Sequence, residues 1–226
     1  MLLMSRRKAH VDLQFRHLPQ PFGSRALLDI GCGNGSFVRL AQSCGWSAVG
    51  IDPDPQAVQG AASEGLSVFC GDLQVFEGKQ ALFDVITMNH VIEHVHEPLD
   101  VLRRCHELLR PGGQLWVDTP NIESLGFSLF RENWRGIEAP RHLVLFNRQS
   151  LADSLRLVGF AEVRSRSRPD PAPATFRMSD AIRRGRGQDT SESVPLSVRM
   201  QIAASAVCSV VAPARREFLT FTAMKA

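Results

Sequence analysis

The stretch ALLDIGCGNGSFVRLA, Ala26 to Ala41, constrains this chain most. It reads as a buried strand, a glycine-rich turn and the first turns of a helix. Gly31, Gly33 and Gly35 let the backbone turn tightly and approach a ligand with no Cβ in the way, and Asn34 tolerates the same left-handed geometry. A nucleotide-binding corner of this kind places an acidic residue at the end of a second strand, about 20 residues on, where a ribose would lie. Asp52, closing SAVGID, stands there.

The spacing then separates two cofactors. A dinucleotide fingerprint needs its third glycine three places after the second, and that place is Ser36. An NAD-dependent oxidoreductase is therefore the disfavoured alternative. Asp29 sits inside the first strand, a position that suits a carboxylate only if it orients the loop or meets a cationic ligand.

Together with EHVHEP at Glu93 to Pro98, the motif LLDIGCGNGSF resembles the class I S-adenosylmethionine-dependent methyltransferases, in particular the small-molecule branch that includes ubiquinone-pathway and glycan-associated enzymes. The resemblance runs from about Arg25 to Phe160 and returns weakly at the C-terminal strand. It implies an α/β Rossmann-like doubly wound sheet, mostly parallel with an antiparallel last strand. It also implies S-adenosylmethionine as cofactor, with Asp29, Gly31, Cys32 and Gly33 lining its amino-acid end. Asp52 would take both ribose hydroxyls, Asp72 would meet the adenine amine and Leu73 would cover the adenine ring. Asn89 and His90, ending FDVITMNH, would lie under the sulfonium.

Elements alternate as the fold class requires, with strands expected near 26–30, 47–51, 66–70, 83–88 and 114–118 and helices around 35–44, 54–63 and 98–109. Arg110-Pro111-Gly112-Gly113 stops the last of these helices. At 226 residues and 44% hydrophobic, a single domain is the default. Its parts are an N-terminal segment 1–24, a cofactor-binding core 25–120, a substrate-side cap 121–147, a helix at 149–158 and a strand from Phe160. A mobile insertion is expected over 169–213. Its portion from Pro169 to Pro195 is polar, rich in proline, serine and arginine and without periodicity, and a helix is expected over 194–211. A last strand is expected over 217–224.

Several classes are set aside. The net charge of +3 is spread along the chain, and RRGRG lacks interleaved aromatics, so no nucleic-acid partner is expected. Five cysteines without paired spacing fit a reducing cytosol and no zinc site. No export signal is evident at the N-terminus. The uncharged run Met200 to Ala214 is long enough to touch a membrane surface but falls short of the roughly 20 apolar residues that cross one.

Methyl transfer from a sulfonium asks mainly for alignment and for a deprotonated or inherently nucleophilic acceptor, so a base is optional. A hydroxyl of a small molecule or of a glycan or lipid precursor is expected, ahead of an amine or carboxylate. Candidate bases are His90, Glu93, His94 and His96 after the fourth strand, and Glu138 and His142 in the cap. His90 and His142 are the chosen catalytic residues. His142 follows Arg141 in a segment that resembles the PRH element after a tryptophan and a glycine, here Trp134 and Gly136. Glu93 and His94 recur in the family whatever the acceptor and are read as bracing the loop. Arg135 and Arg141 are either solvated surface arginines or paired donors to an anionic acceptor, while Trp134 and Phe127 are either a stacking wall or the core of the cap. Only Glu93 and Glu97 lie near the place where some relatives hold a divalent ion, so no metal is expected. A cofactor-binding protein without turnover is the remaining alternative.

Overall fold

The apolar run at the head of the chain forms β1, Ala26–Ile30, buried on both faces as a central parallel strand must be. The computed structural model describes residues 16, 18, 25–167, 172–187, 189–191 and 193–226. The other strands are β2 (Ser47–Asp52), β3 (Val68–Cys70), β4 (Phe83–Asn89), β5 (Leu109–Pro120), β6 (Ala161–Arg166) and β7 (Phe218–Met224). They make one sheet in the order β3-β2-β1-β4-β5-β7-β6. The first five strands of that order are parallel, and β7 runs antiparallel between β5 and β6. The expected α/β architecture is therefore present, antiparallel last strand included.

Helices α1 (Ser36–Ser43), α2 (Pro55–Ser63), α3 (Pro98–Leu108) and α5 (Arg148–Leu157) cross between strands, and α4 (Leu125–Phe130) belongs to the cap. Local chemistry starts them where the sequence predicts. Asp54 caps α2 by accepting from Gln56 N, with proline in the first turn, and Asn147 and Ser150 form a reciprocal capping box on α5. Successive β1 residues serve opposite layers. Leu27 joins Val38, Ala41, Trp46 and Val85 on the α1 face, while Leu28 joins Ile86, Leu102, Leu108 and Leu151 on the other.

The strand order reverses between β1 and β4, so the carboxyl ends of those strands open a crevice, the usual ligand position in open α/β sheets. The segment 121–147 starts and ends at one place, because Asn121 bridges Phe146 and Ile122 N donates to Phe146 O. Within it Trp134 and Phe130 form a small core of their own with Ala172, Phe176 and Val198. Trp134 is thus core of the cap and no stacking wall.

The reading of Pro169 to Pro195 as aperiodic needs correction. Ala172–Arg183 is a helix, α6, burying Ala172, Thr175, Phe176, Ser179, Asp180 and Ala181. Its proline falls in the first turn, where no backbone hydrogen bond is lost, and much of its buried face is small or polar, which hides the period from a hydropathy reading. Residues 168–171, 188 and 192 of the expected insertion, and nearly all of the expected N-terminal segment, lie outside the described residues. Leu196–Val211 is a helix, α7, as expected. Among the described residues no helix is long and apolar enough to cross a membrane.

Candidate active site

The turn after β1 is held from behind by β2, since Gly31 N and Cys32 N both donate to Ile51 O, at 2.8 and 3.0 Å. A Cβ at Gly31 would come within 2.5 Å of Val91 Cγ2. Gly33 has φ +52 and nothing within 4 Å of where a Cβ would stand, so its backbone faces open space. Asp52 accepts from Gly33 N (2.8 Å) with one carboxylate oxygen and from Asp54 N (2.9 Å) with the other. One side chain thereby couples the ends of β1 and β2.

These groups line a cavity of about 1540 Å³, larger than the ~300–1,000 Å³ of a typical single-ligand site. Gly31, Gly33, Asp52, Asp72, Leu73 and His90 all lie on its wall. Asp72 caps the turn Leu73–Phe76 by accepting from Gln74 N at 2.8 Å, which aligns Leu73 beside it. The wall carries seven carboxylates (Asp52, Asp54, Asp72, Glu77, Glu97, Asp100, Glu107) against two arginines, Arg104 and Arg141. That balance suits a cationic ligand and repels a pyrophosphate.

Three expected cofactor residues stand elsewhere. Asp29 is 2% exposed and off the cavity wall, because its carboxylate accepts from the Arg16 guanidinium and from Thr87 Oγ1, the latter at 2.6 Å. Arg16 in turn lies over the Phe37 ring at 3.3 Å. The buried carboxylate thus meets a cation of the protein itself and orients the strand that carries the turn. Cys32 is also off the wall, its thiol packed against Gly50 and its pKa pushed up to about 12 by burial and then by Asp29 and Asp52. Asn89 ends β4, level with Asp118 of β5, and is likewise off the wall.

His90 sits at the centre of a polar network. Its backbone has φ 56, an uncommon conformation outside glycine. Its ring packs edge-on against Phe218, with Nδ1 3.2 Å from Glu93 Oε1 and Nε2 3.7 Å from Asp118 Oδ2. Both carboxylates are wholly buried. Thr119 Oγ1 donates to the other Glu93 oxygen at 2.9 Å, and Thr220 Oγ1 donates to Asp118. The Glu93 carbonyl also accepts from Leu143 N at 2.7 Å, tying this loop to the cap.

His142 stands behind that wall. Its buried ring lies edge-on to His94, Nδ1 is 2.7 Å from Gly136 O, and Nε2 is 3.5 Å from Glu138 Oε2. Burial lowers its pKa, so the ring is neutral near pH 7. Burial works against the Glu138 carboxylate, yet Arg135 and Arg141 more than offset it and hold its pKa below the usual range. Arg135 is thus engaged with Glu138, whereas Arg141, paired with the same carboxylate, also reaches the cavity.

Glu93, His94 and His142 can each offer one ligand atom, all within 4.8 Å of one another. Counting acids along the sequence misses this group because the cap closes over the loop only in three dimensions. Asp118 and Thr119 were also missed, although an acid ending the buried strand 114–118 was the available signal. Thr87, Glu217 and Arg16 carry no local signal.

Comparison with known proteins assigns this arrangement to a class. The family model described as a methyltransferase domain matches residues 6–165. The chain belongs to that family, whose members draw a methyl group from S-adenosylmethionine. Among curated relatives, a ubiquinone biosynthesis O-methyltransferase of Parvibaculum lavamentivorans is 34% identical over 125 residues, covering 53% of this chain and 49% of the relative. The chain thus spans about half the length of the curated relatives it matches. Two solved structures share the fold. A methyltransferase from Archaeoglobus fulgidus has a TM-score of 0.65 at 18% identity, over 99% of this chain and 93% of that one. Phosphoethanolamine N-methyltransferase 2 from Haemonchus contortus, solved with S-adenosylmethionine, has a TM-score of 0.64 at 17% identity, over 96% of this chain and 52% of that one.

Proposed function

We propose that this protein transfers a methyl group to a hydroxyl of a small molecule or of a glycan or lipid precursor, with His90 as general base. The observation that carries the reading is the His90 ring on the cavity wall, backed by two wholly buried carboxylates. The wall fits S-adenosylmethionine in charge and shape: a glycine turn with open space at Gly33, Asp52 at its far lip, and an excess of carboxylates around a cationic ligand. When bound, that cofactor supplies an electrophilic methyl.

The chain's own residues do the rest. Asp52, already fixed by two amides, keeps lone pairs for the ribose diol, while Asp72 and Leu73 take the adenine edge and face. Glu93 accepts from His90 Nδ1–H, which fixes the tautomer and leaves Nε2 as a lone pair. The acceptor's hydroxyl proton passes to Nε2, and Asp118 favours the imidazolium that results. The segment 121–147 is the substrate-side cap, with Arg141 on the cavity wall and His142 as a positioning residue that supports His94. That the curated relatives are O-methyltransferases supports an oxygen acceptor.

The test is a methyl-transfer screen over phenolic, sugar-hydroxyl and amine acceptors, with S-adenosylmethionine and NAD titrated by calorimetry. The expected result is turnover on a hydroxyl acceptor that falls ~10²–10⁴-fold in kcat in His90→Gln, with the cofactor Kd little changed. Turnover on amines alone, or His90→Gln at wild-type rate, overturns the reading.

A further inference from the structure

Helix α7 packs Val198 and Ile202 into the small core yet leaves a second apolar face open. Its buried residues are Val198 and Ser205, and the serines facing inward bond back to their own helix, Ser205 Oγ donating to Ile202 O at 2.7 Å and Ser209 Oγ to Ala206 O at 2.8 Å. The outward face carries Leu196, Met200, Val207, Val210 and Val211, each between 63% and 75% exposed, with the exposed Ala203 among them. Their spacing of three, four, seven and eleven residues puts them on one stripe, where a soluble helix would carry its charges. Pro213 and Ala214, also exposed, extend this surface beyond the helix end.

The two charged side chains that flank the stripe are both arginines. Arg199 lies at its edge, the only charged residue of α7, and Arg215 stands just past Ala214, both exposed. Between Ala172 and Arg216 the sequence holds seven arginines against Asp180, Asp189 and Glu192. Asp180 is engaged by both Arg183 and Arg184. At 16 residues the helix is about 24 Å long, at ~1.5 Å per residue, and falls short of a hydrocarbon core of ~30 Å.

We propose that the outward face of α7 is a docking surface for an anionic phospholipid bilayer, along which the helix lies in the plane of the interface. Apolar side chains enter the acyl boundary while arginines at the rim meet lipid phosphates, the combination that gives interfacial helices their affinity. A second copy of the chain fits less well. In a two-fold contact the same arginine-rich rim would meet itself, and α7 holds no acid to receive Arg199. The proposal also concerns the cap, because Val198 on the inner side of α7 shares one small core with Phe130 and Trp134. A docked α7 would hold the segment that carries Arg141 at the lipid surface.

The test is co-sedimentation of the whole protein with phosphatidylcholine vesicles, with and without phosphatidylglycerol. Met200→Asp/Val207→Asp places charge on the stripe, and Met200→Gln/Val207→Gln removes apolar surface without adding charge. Both pairs change exposed side chains far in sequence from the cavity, and folding is checked by far-ultraviolet circular dichroism and cofactor calorimetry. The expected result is binding that depends on phosphatidylglycerol, weakens with salt, and falls roughly tenfold or more in both variants. Absence of binding at low salt, or binding undiminished in both variants, overturns the proposal. So does analytical ultracentrifugation showing a wild-type dimer that the variants dissociate, which would assign the face to a second copy.

Discussion

Replacing Asp52 by Asn should damage the site twice, by separable amounts. In the native turn one carboxylate oxygen accepts from Gly33 N and the other from Asp54 N, at 2.8 and 2.9 Å. An asparagine can keep one of these acceptors, but its amide nitrogen then opposes the second N–H, so one hydrogen bond is lost and two donors face each other. For a partly exposed pair this costs about 1–2 kcal/mol, a melting shift of roughly 2–8 °C for a chain of this size. The second loss appears only with ligand. If Asp52 accepts from the ribose diol, the variant forfeits a charge-assisted hydrogen bond of ~1.5–3 kcal/mol, which weakens binding ~10–150-fold. Calorimetry with S-adenosylmethionine and S-adenosylhomocysteine reads the second effect, and thermal melts without ligand read the first. A variant that melts lower yet binds within about threefold of wild type would refute the ribose role and leave Asp52 as a brace for the glycine turn.

Further outcomes follow from other parts of the structure. Glu217 is 1% exposed and accepts from Gly126 N and Trp134 Nε1, both at 2.8 Å, so Glu217→Gln should lower stability by about 2–4 kcal/mol, seen as a lower melting temperature with the cap affected first in hydrogen exchange. His142 has its pKa lowered by burial, so the unfolded chain binds the extra proton. Its contribution is present above its ordinary pKa of 6.5 and is lost as pH falls below that value. His106, lowered by burial and by Lys225, adds in the same sense. Melts at pH 8 and pH 5.5 should therefore diverge less in His142→Gln than in wild type, and equal divergence would contradict the assignment. Dialysis against EDTA should leave turnover unchanged, because Glu93 already holds His90 and Thr119; loss restored by magnesium would instead assign Glu93, His94 and His142 to an ion.

What was legible in the sequence is what neighbours in the chain decide. The glycine turn and the place of Asp52 depend on contacts within one β1–α1–β2 unit, and both appear where expected. Asp29 stands out in the sequence as an odd carboxylate, but its partners lie 13 and 58 residues away, the second brought level by the β1–β4 register. Glu217 braces the cap across 83 and 91 residues. That the uncharged run Met200 to Ala214 can touch a membrane surface is legible in the sequence, but only the packing separates the inward Val198 and Ser205 from the outward Val207, Val210 and Val211.

The tie between Asn121 and Phe146 has a consequence for how such a protein can change. Asn121 Nδ2 also donates to Ala214 O and Arg216 O, both at 2.8 Å, so both ends of the cap meet beside the start of the last strand. The two ends of the segment are therefore clipped at one seam, while Gly126, Trp134 and Leu143 tie its interior to Glu217 and Glu93. Changes confined to its exposed positions leave both seam ends and the glycine turn where they are, whereas changes at Gly126, Trp134 or Leu143 also reach the contacts of Glu217 and Glu93.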